Sequence, residues 1–230
     1  MKSDLRFRFI LLLIFITAFC SYAYELVIAN ILSVLWGNVV QQYTVTTGIY
    51  IAAMGAGAYL APIKLNAKRS FIWIEVALSI CALASPFILV YSDINLKPAS
   101  ALISYVMISA IGFLSGMELP LLMRIMHSES LSEEKNEQAL FTDYVGMFAA
   151  GIIFALFLNR QFGTLHTNLW LAMGNLGLAL VCGLLWGYQD SKIRKIEMPT
   201  VLVLFVVAAW IFSQNLLIYE EQIARWIIAN

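Results

Sequence analysis

Charge is what this chain has least of. Of 230 residues, 14 are Lys or Arg and 14 are Asp or Glu, together 12%, where soluble domains carry about 25%. That shortage argues against an ordinary soluble enzyme. The zero net charge, with no basic face or tail, argues against a nucleic-acid binder. Cysteine is sparse as well: Cys20, Cys81 and Cys182 form an odd set without a CxxC, each inside an apolar run, where a thiol behaves as a small hydrophobe. His127 and His166 stand at the ends of apolar runs with no second ligand at helical spacing. Neither a disulfide framework nor a metal site is expected, and no Ser/His/Asp, Cys/His or phosphate-loop constellation suggests a catalytic residue.

What is present is apolar. Hydrophobic residues make up 61% of the chain, mean hydropathy is +0.83, and several runs reach about 18 residues, the length that spans a bilayer as a helix. The expected class is an all-α, polytopic membrane bundle forming one integral membrane domain over residues 1–230.

The first run, Phe9 to Gly37, follows Lys2, Arg6 and Arg8 and so imitates a signal peptide. Phe19 is too large for the cleavage that Cys20 would imply, and the apolar character continues past Glu25, so a retained helix is expected. Its 29 residues reach about 43 Å against a hydrocarbon core of roughly 30 Å; the helix must tilt, break or project. Six further spans follow: Val39 to Ala61, Phe71 to Tyr91, Ala101 to Met123, Leu140 to Leu158, Leu169 to Tyr188, and a last helix, Thr200 to Tyr219. Residues 220–230 form a short amphipathic tail that would lie in the interface and anchor through Trp226.

With seven spans, Lys2, Arg6, Arg8, Lys64, Lys68, Arg69, Arg124, Lys135, Lys192, Arg194 and Lys195 fall on one side and only Lys97, Arg160 and Arg225 on the other. The positive-inside rule then places the N-terminus in the cytoplasm.

Ionisable residues inside spans are functional hypotheses by default. Glu75, a few residues past Arg69, reads as an interfacial, snorkelling carboxylate. Asp143, at the start of the fifth span, reads either as a helix N-terminal cap or, with Tyr24 and Tyr144, as a further candidate for binding a cation or polyamine. Glu25 and Glu118 sit in matching contexts, Glu25-Leu-Val-Ile and Glu118-Leu-Pro-Leu, 93 residues apart; Gly57 and Gly151 recur at 94. That offset suggests two three-helix units, 9–91 and 101–188, entering from opposite faces as an inverted repeat. The two acids would then approach a pseudo-two-fold axis and hold a cation. Gly116 and Pro120 would make the fourth helix locally irregular and free carbonyls, with Gln41 and Gln42 adding amide oxygens. The competing reading is that each acid, protonated or hydrogen-bonded, only fixes packing. The small-xxx-small pairs, which include Gly57, Gly112, Gly116 and Gly146, point to close helix packing, as do Gly55 and Gly151. Gly55-Ala-Gly57 lies within an apolar helix, so it is no nucleotide loop.

The stretches YELVIANILSVLWGNVVQQYTVTTGIYIAAMGAGAYLA, GMELPLLMRI and DYVGMFAAGIIFALFLNRQFG together resemble the N-terminal membrane domain of the bacterial membrane-bound spermidine synthases, the polyamine aminopropyltransferases. The matching positions are Tyr24, Glu25, Gly55, Gly57, Gly116, Glu118, Pro120, Asp143, Tyr144 and Gly146. The resemblance implies an inner-membrane protein whose soluble Rossmann-like domain transfers an aminopropyl group from decarboxylated S-adenosylmethionine to putrescine. These 230 residues hold no such domain, so the chain is expected to be a piece of a longer protein, a stand-alone membrane subunit, or a relative whose soluble partner lies on another chain. Seven spans would also put Asn230 outside, away from a cytoplasmic cofactor, which makes the long first segment suspect. Three functions compete: a membrane module that anchors an aminopropyltransferase and binds or passes a polyamine; a small transporter or channel for a cationic or amphipathic substrate; and a ligand-free anchor. A homo-oligomer is compatible with each.

Overall fold

The computed structural model describes residues 2–61, 66–128, 135–187 and 198–207. They are helical throughout, with no strand among them. Six helices follow one another: α1 (Lys2–Trp36), α2 (Val39–Tyr59), α3 (Ala67–Asn95), α4 (Ser100–Ser128), α5 (Asn136–Ile153) and α6 (Asn159–Gly187). A short apolar helix, Met198–Val207, comes after them. The tail, Trp226 and most of the last expected span lie outside the described residues.

Four helical stretches are long and apolar enough to cross a membrane: Asp4–Trp36, Ala67–Asn95, Lys97–Ser128 and Asn136–Trp186. The last is really two helices. Gly163 adopts φ 73°, ψ 168° within it, a conformation that glycine reaches without a Cβ penalty. The chain therefore turns between a helix ending near Phe162 and one beginning at Thr164. A π-helical segment, Phe154–Leu158, precedes that turn. Helix α2 is absent from the four because its first half, Gln41-Gln42-Tyr43-Thr44 with Thr46 and Thr47, dilutes an otherwise apolar sequence.

Local chemistry sets the turns. Between α1 and α2 only Gly37 and Asn38 intervene, both at positive φ, and the Asn38 side chain accepts from the Gln41 N–H. Asn66 caps α3 by accepting from the N–H groups of Lys68 and Arg69, relieving donors that the first helical turn leaves unpaired. Leu96 and a single 3₁₀ turn, Lys97–Ala99, with Pro98 in its first positions, lead into α4. Helix α1 is unbroken over 35 residues, about 52 Å, so of the three expected outcomes breaking is excluded. Helix α4 continues through Pro120, which has no N–H to offer the Gly116 carbonyl and so leaves it without its helical donor.

The two most extensive helix contacts are α2 with α4 and α1 with α5, followed by α3 with α6 and α3 with α4. Glycine makes the first two close. A methyl group added at Gly116 would lie 2.0 Å from the Met54 carbonyl oxygen, one at Gly57 1.9 Å from that of Phe113, and one at Gly112 2.8 Å from that of Tyr50. On the other contact, a methyl at Gly146 would lie 2.6 Å from the Phe15 carbonyl oxygen and one at Gly151 3.2 Å from the Tyr22 ring. Small residues let helices approach to backbone contact where lipid supplies no hydrophobic drive. Gly55 departs from this expectation: nothing lies within 4 Å of a methyl placed there, so it makes no close helix contact. Helices α3 and α6 run antiparallel, with Asn168 Nδ2 donating to the Ala82 carbonyl at 2.6 Å and Phe71 meeting Trp186 edge-on at 5.8 Å.

Replacing Gly57 or Gly116 by Ala is expected to cost about 1–3 kcal/mol, the usual range for overpacking, when the chain is unfolded in detergent. Gly55→Ala should stay within about 0.5 kcal/mol. Equal losses at all three positions would remove the distinction.

Candidate functional site

The polar interior is built where α1, α2 and α4 converge. Ser21 on α1 donates its hydroxyl to Glu118 Oε2 on α4 at 2.7 Å. The Tyr50 hydroxyl on α2 donates to the Ser21 carbonyl at 2.8 Å and lies 2.9 Å from Ser115 Oγ, which can donate to it in return. Tyr50 and Glu118 are 2% and 3% exposed. One turn separates Ser115 from Glu118 on α4, so both face the same neighbours. The close approach at Gly112 and Gly116 is what brings that face onto α2.

Glu118 also meets a carboxyl that sequence reasoning placed elsewhere. Glu75, expected at the interface, is fully buried and lies within hydrogen-bonding reach of Glu118. Helix α3 begins at Ala67, so Glu75 is two turns inside it. The sequence did carry a signal: six residues separate Arg69 from Glu75, a spacing that puts the two on different faces of a helix, unlike i+3 or i+4. Ser21, Tyr50, Ser115 and Thr47 were missed for a different reason, since nothing in sequence marks a small hydroxyl in an apolar helix as facing a carboxylate on another helix.

Three oxygens of the acid pair, Glu75 Oε1 and Oε2 and Glu118 Oε1, have no hydrogen-bond donor among the described residues, nor does the hydroxyl of Tyr24 find a partner. Burying a carboxylate costs several kcal/mol after relaxation, unless it is paired or neutral. Glu118 further lines a cavity of about 260 Å³ shared with Ser21, Met54, Ser115, Met123 and Asp143. Gly55 and Gly116 are in its wall, which gives Gly55 a position on a cavity in place of a helix contact.

The other expected residues divide. Asp143 sits two turns inside α5, which starts at Asn136; it is not the N-terminal cap, and it lies near enough to Glu118 to act on it electrostatically. Glu25 is buried on α1 but engages Thr47 of α2, whose hydroxyl donates to it. Tyr24 is buried, whereas Tyr144 is 66% exposed. Gln41 is exposed and bonded to Asn38 at the start of α2; Gln42 is buried. The fold thus brings Glu118, Asp143 and Glu75 together and leaves Tyr144 and Gln41 outside. No group of three or more His, Cys, Asp or Glu suited to a metal ion occurs among the described residues, and all three cysteines are free.

These features define a helical chain with membrane-length apolar helices around a buried acid pair beside a cavity. The chain is related to the polyamine aminopropyltransferases, the spermidine synthase family. A polyamine aminopropyltransferase of Leptospira interrogans is 29% identical over 216 residues, 91% of this chain and 42% of the relative. One of Oceanobacillus iheyensis is 28% identical over 215 residues, 90% of this chain and 41% of its own length. Polyamine aminopropyltransferase 1 of Streptomyces coelicolor is 33% identical over 165 residues, 69% of this chain and 30% of the relative. The chain therefore spans less than half the length of the curated relatives it matches. No family model matches the chain, and no solved structure does.

Tyr50→Phe should destabilise the bundle by about 1–2 kcal/mol, since it removes the buried hydrogen bonds that tie α2 to the Ser21 carbonyl and the Ser115 hydroxyl. Tyr43→Phe should be near neutral, because that hydroxyl makes a single 3.5 Å contact with Asn30. Thermal unfolding in detergent distinguishes the two, and equal shifts would argue against the Tyr50 network.

Proposed function

We propose that this chain is the membrane domain of a polyamine aminopropyltransferase-like protein, anchoring it in the bacterial inner membrane and holding a polyamine cation in the cavity beside Glu118 and Asp143. The single observation that carries the site is an unpaired, buried oxygen of Glu118 on a cavity that also holds Asp143. Two carboxyls at a wall that is otherwise apolar apart from Ser21 and Ser115 suit an organic ammonium group, whose methylene stem is at home against Met54, Met123 and Met147. The named relatives point to polyamines as the class of amine.

Decarboxylated S-adenosylmethionine and aminopropyl transfer belong, in this proposal, to a soluble domain carried C-terminally or on another chain. The described residues do not fit that nucleoside: most of their tightest glycines are engaged with neighbouring helices, and no strand precedes a glycine turn. In the same reading, seven spans cross the membrane with the N-terminus in the cytoplasm, residues 1–230 form one domain, and the tail lies in the interface. The described basic residues of the α1 start, the α3 start, the α4 end and the α5 start support this, since successive helices reverse direction and gather them at one end.

A transport role is the second reading, favoured by the helix contacts. Ala18 and Gly112 are 94 residues apart and Ala53 and Gly146 are 93 apart. Gly112 meets Ala53 across α4 and α2, and Gly146 meets Ala18 across α5 and α1. Exchanging α1 with α4 and α2 with α5 converts one contact into the other, as an inverted repeat requires.

The purified chain in lipid nanodiscs should bind spermidine, measured by calorimetry. Glu118→Gln and Asp143→Asn should each weaken binding about tenfold or more, about 1.4 kcal/mol, while Glu25→Gln leaves it within about twofold. Binding unaffected by the first two substitutions would reject the site. Spermidine flux in liposomes made with the chain would favour transport over anchoring.

A further inference from the structure

Glu75 is fully buried and is not among the residues that line the cavity. The groups that face the pair from the surrounding helices are Cys20 and Tyr24 of α1, Tyr50 of α2, Asp143 of α5 and Cys182 of α6. All are neutral or acidic. Asn168, Asn175 and Cys182 recur at seven-residue steps along α6. The first is bonded to Ala82, the last lies near enough to Glu75 to interact with it electrostatically, and Asn175 between them is fully buried with both amide atoms unpartnered.

As carboxylates, Glu75 and Glu118 offer each other only acceptors, and no bond forms between two acceptors. Two like charges at hydrogen-bonding range in a low-dielectric interior cannot both persist, which is the reason paired carboxyls share a proton. One proton supplies the missing donor, lets one carboxyl bond the other, and leaves a single negative charge for the two. Ser21 already donates to Glu118 Oε2, whereas neither oxygen of Glu75 has a donor among the described residues, so the one proton is the donor that this pair lacks. Only Glu118 borders the cavity, so it is the route by which the proton enters or leaves.

We propose that Glu75 and Glu118 form a one-proton binding site that loads and unloads through the cavity on the Asp143 side, and that a cation bound beside Glu118 displaces the proton. The balance is simple: the cation enters, one proton leaves the pair to solvent through the cavity, and no covalent bond other than O–H is broken. The displacement rests on the polyamine reading given above, whereas the shared proton does not.

The test is infrared spectroscopy of the full chain in nanodiscs at neutral pH, following the carboxylic-acid C=O band, with the amide band reporting the fold. One protonated-carboxyl band is expected. It should shift in D2O, and be lost or displaced in both Glu75→Gln and Glu118→Gln, while Glu25→Gln leaves it in place. Spermidine should bleach the band and release about one proton per chain, read with an indicator dye in weak buffer. If no such band exists, or if neither substitution in the pair alters it while the amide band is retained, the shared proton is overturned, whatever spermidine does. Spermidine that binds without bleaching the band overturns the displacement. Spermidine that fails to bind while the band tracks both glutamates overturns the polyamine reading and supports the shared proton. Where Glu75→Gln fails to fold, Glu75→Asp replaces it, with a shifted band expected.

Discussion

The backbone contact between α2 and α4 is the constraint on which the interior depends. At Gly57, Gly112 and Gly116 the two helices approach so closely that a methyl group would fall 1.9 to 2.8 Å from a carbonyl oxygen. Such contact is available only without a Cβ, and in an apolar surrounding it stands in for the hydrophobic drive that lipid removes. It also decides orientation. With Gly112 and Gly116 turned to α2, Ser115 and Glu118 on the same stretch are carried into the space between α1, α2 and α3. The Tyr50 hydroxyl then ties α2 to both α1 and α4 through Ser21 and Ser115.

A carboxyl placed there has few ways to be stable. Glu25 finds a hydroxyl donor in Thr47, and Glu118 finds one in Ser21. Glu75 finds none among the described residues and faces Glu118 instead. The difference between these three acids is therefore one of donor supply, since all are buried to a similar degree. An acid with a hydroxyl partner reads as structure, whereas two acids facing each other call for a proton or a cation. In the function proposed above, the likeness to polyamine aminopropyltransferases and the acid-lined cavity are joined through one chemical class, the organic ammonium ion.

Much of the helical architecture was legible in the chain. The first four spans followed from apolar length, and their bounds fall close to those of α1 through α4. The Gly163 turn was legible as a break between the fifth and sixth spans. Glu118 was legible too, as an acid beside Gly116 and Pro120 within an apolar run. Among the readings that were not sustained, three have a plain physical reason. Glu75 was referred to Arg69 by nearness in sequence, although six residues on a helix point to different faces. Asp143 was read as a cap because the apolar span begins at Leu140, whereas the helix starts at Asn136. Gly55 was grouped with Gly57, yet two residues along a helix turn by about 200°, which moves one of them off the α4 contact.

Composition and periodicity by themselves determined that this chain is helical, apolar enough for membrane-length helices, and furnished with a few interior acids; these are properties of single segments, set by transfer energies and turn chemistry. Which acids meet was decided only by the tertiary structure. The pairing of Glu75 with Glu118 joins residues 43 positions apart, on helices whose rotations are fixed by glycine contacts elsewhere. No local pattern encodes a rotation that depends on where a neighbouring backbone can come closest.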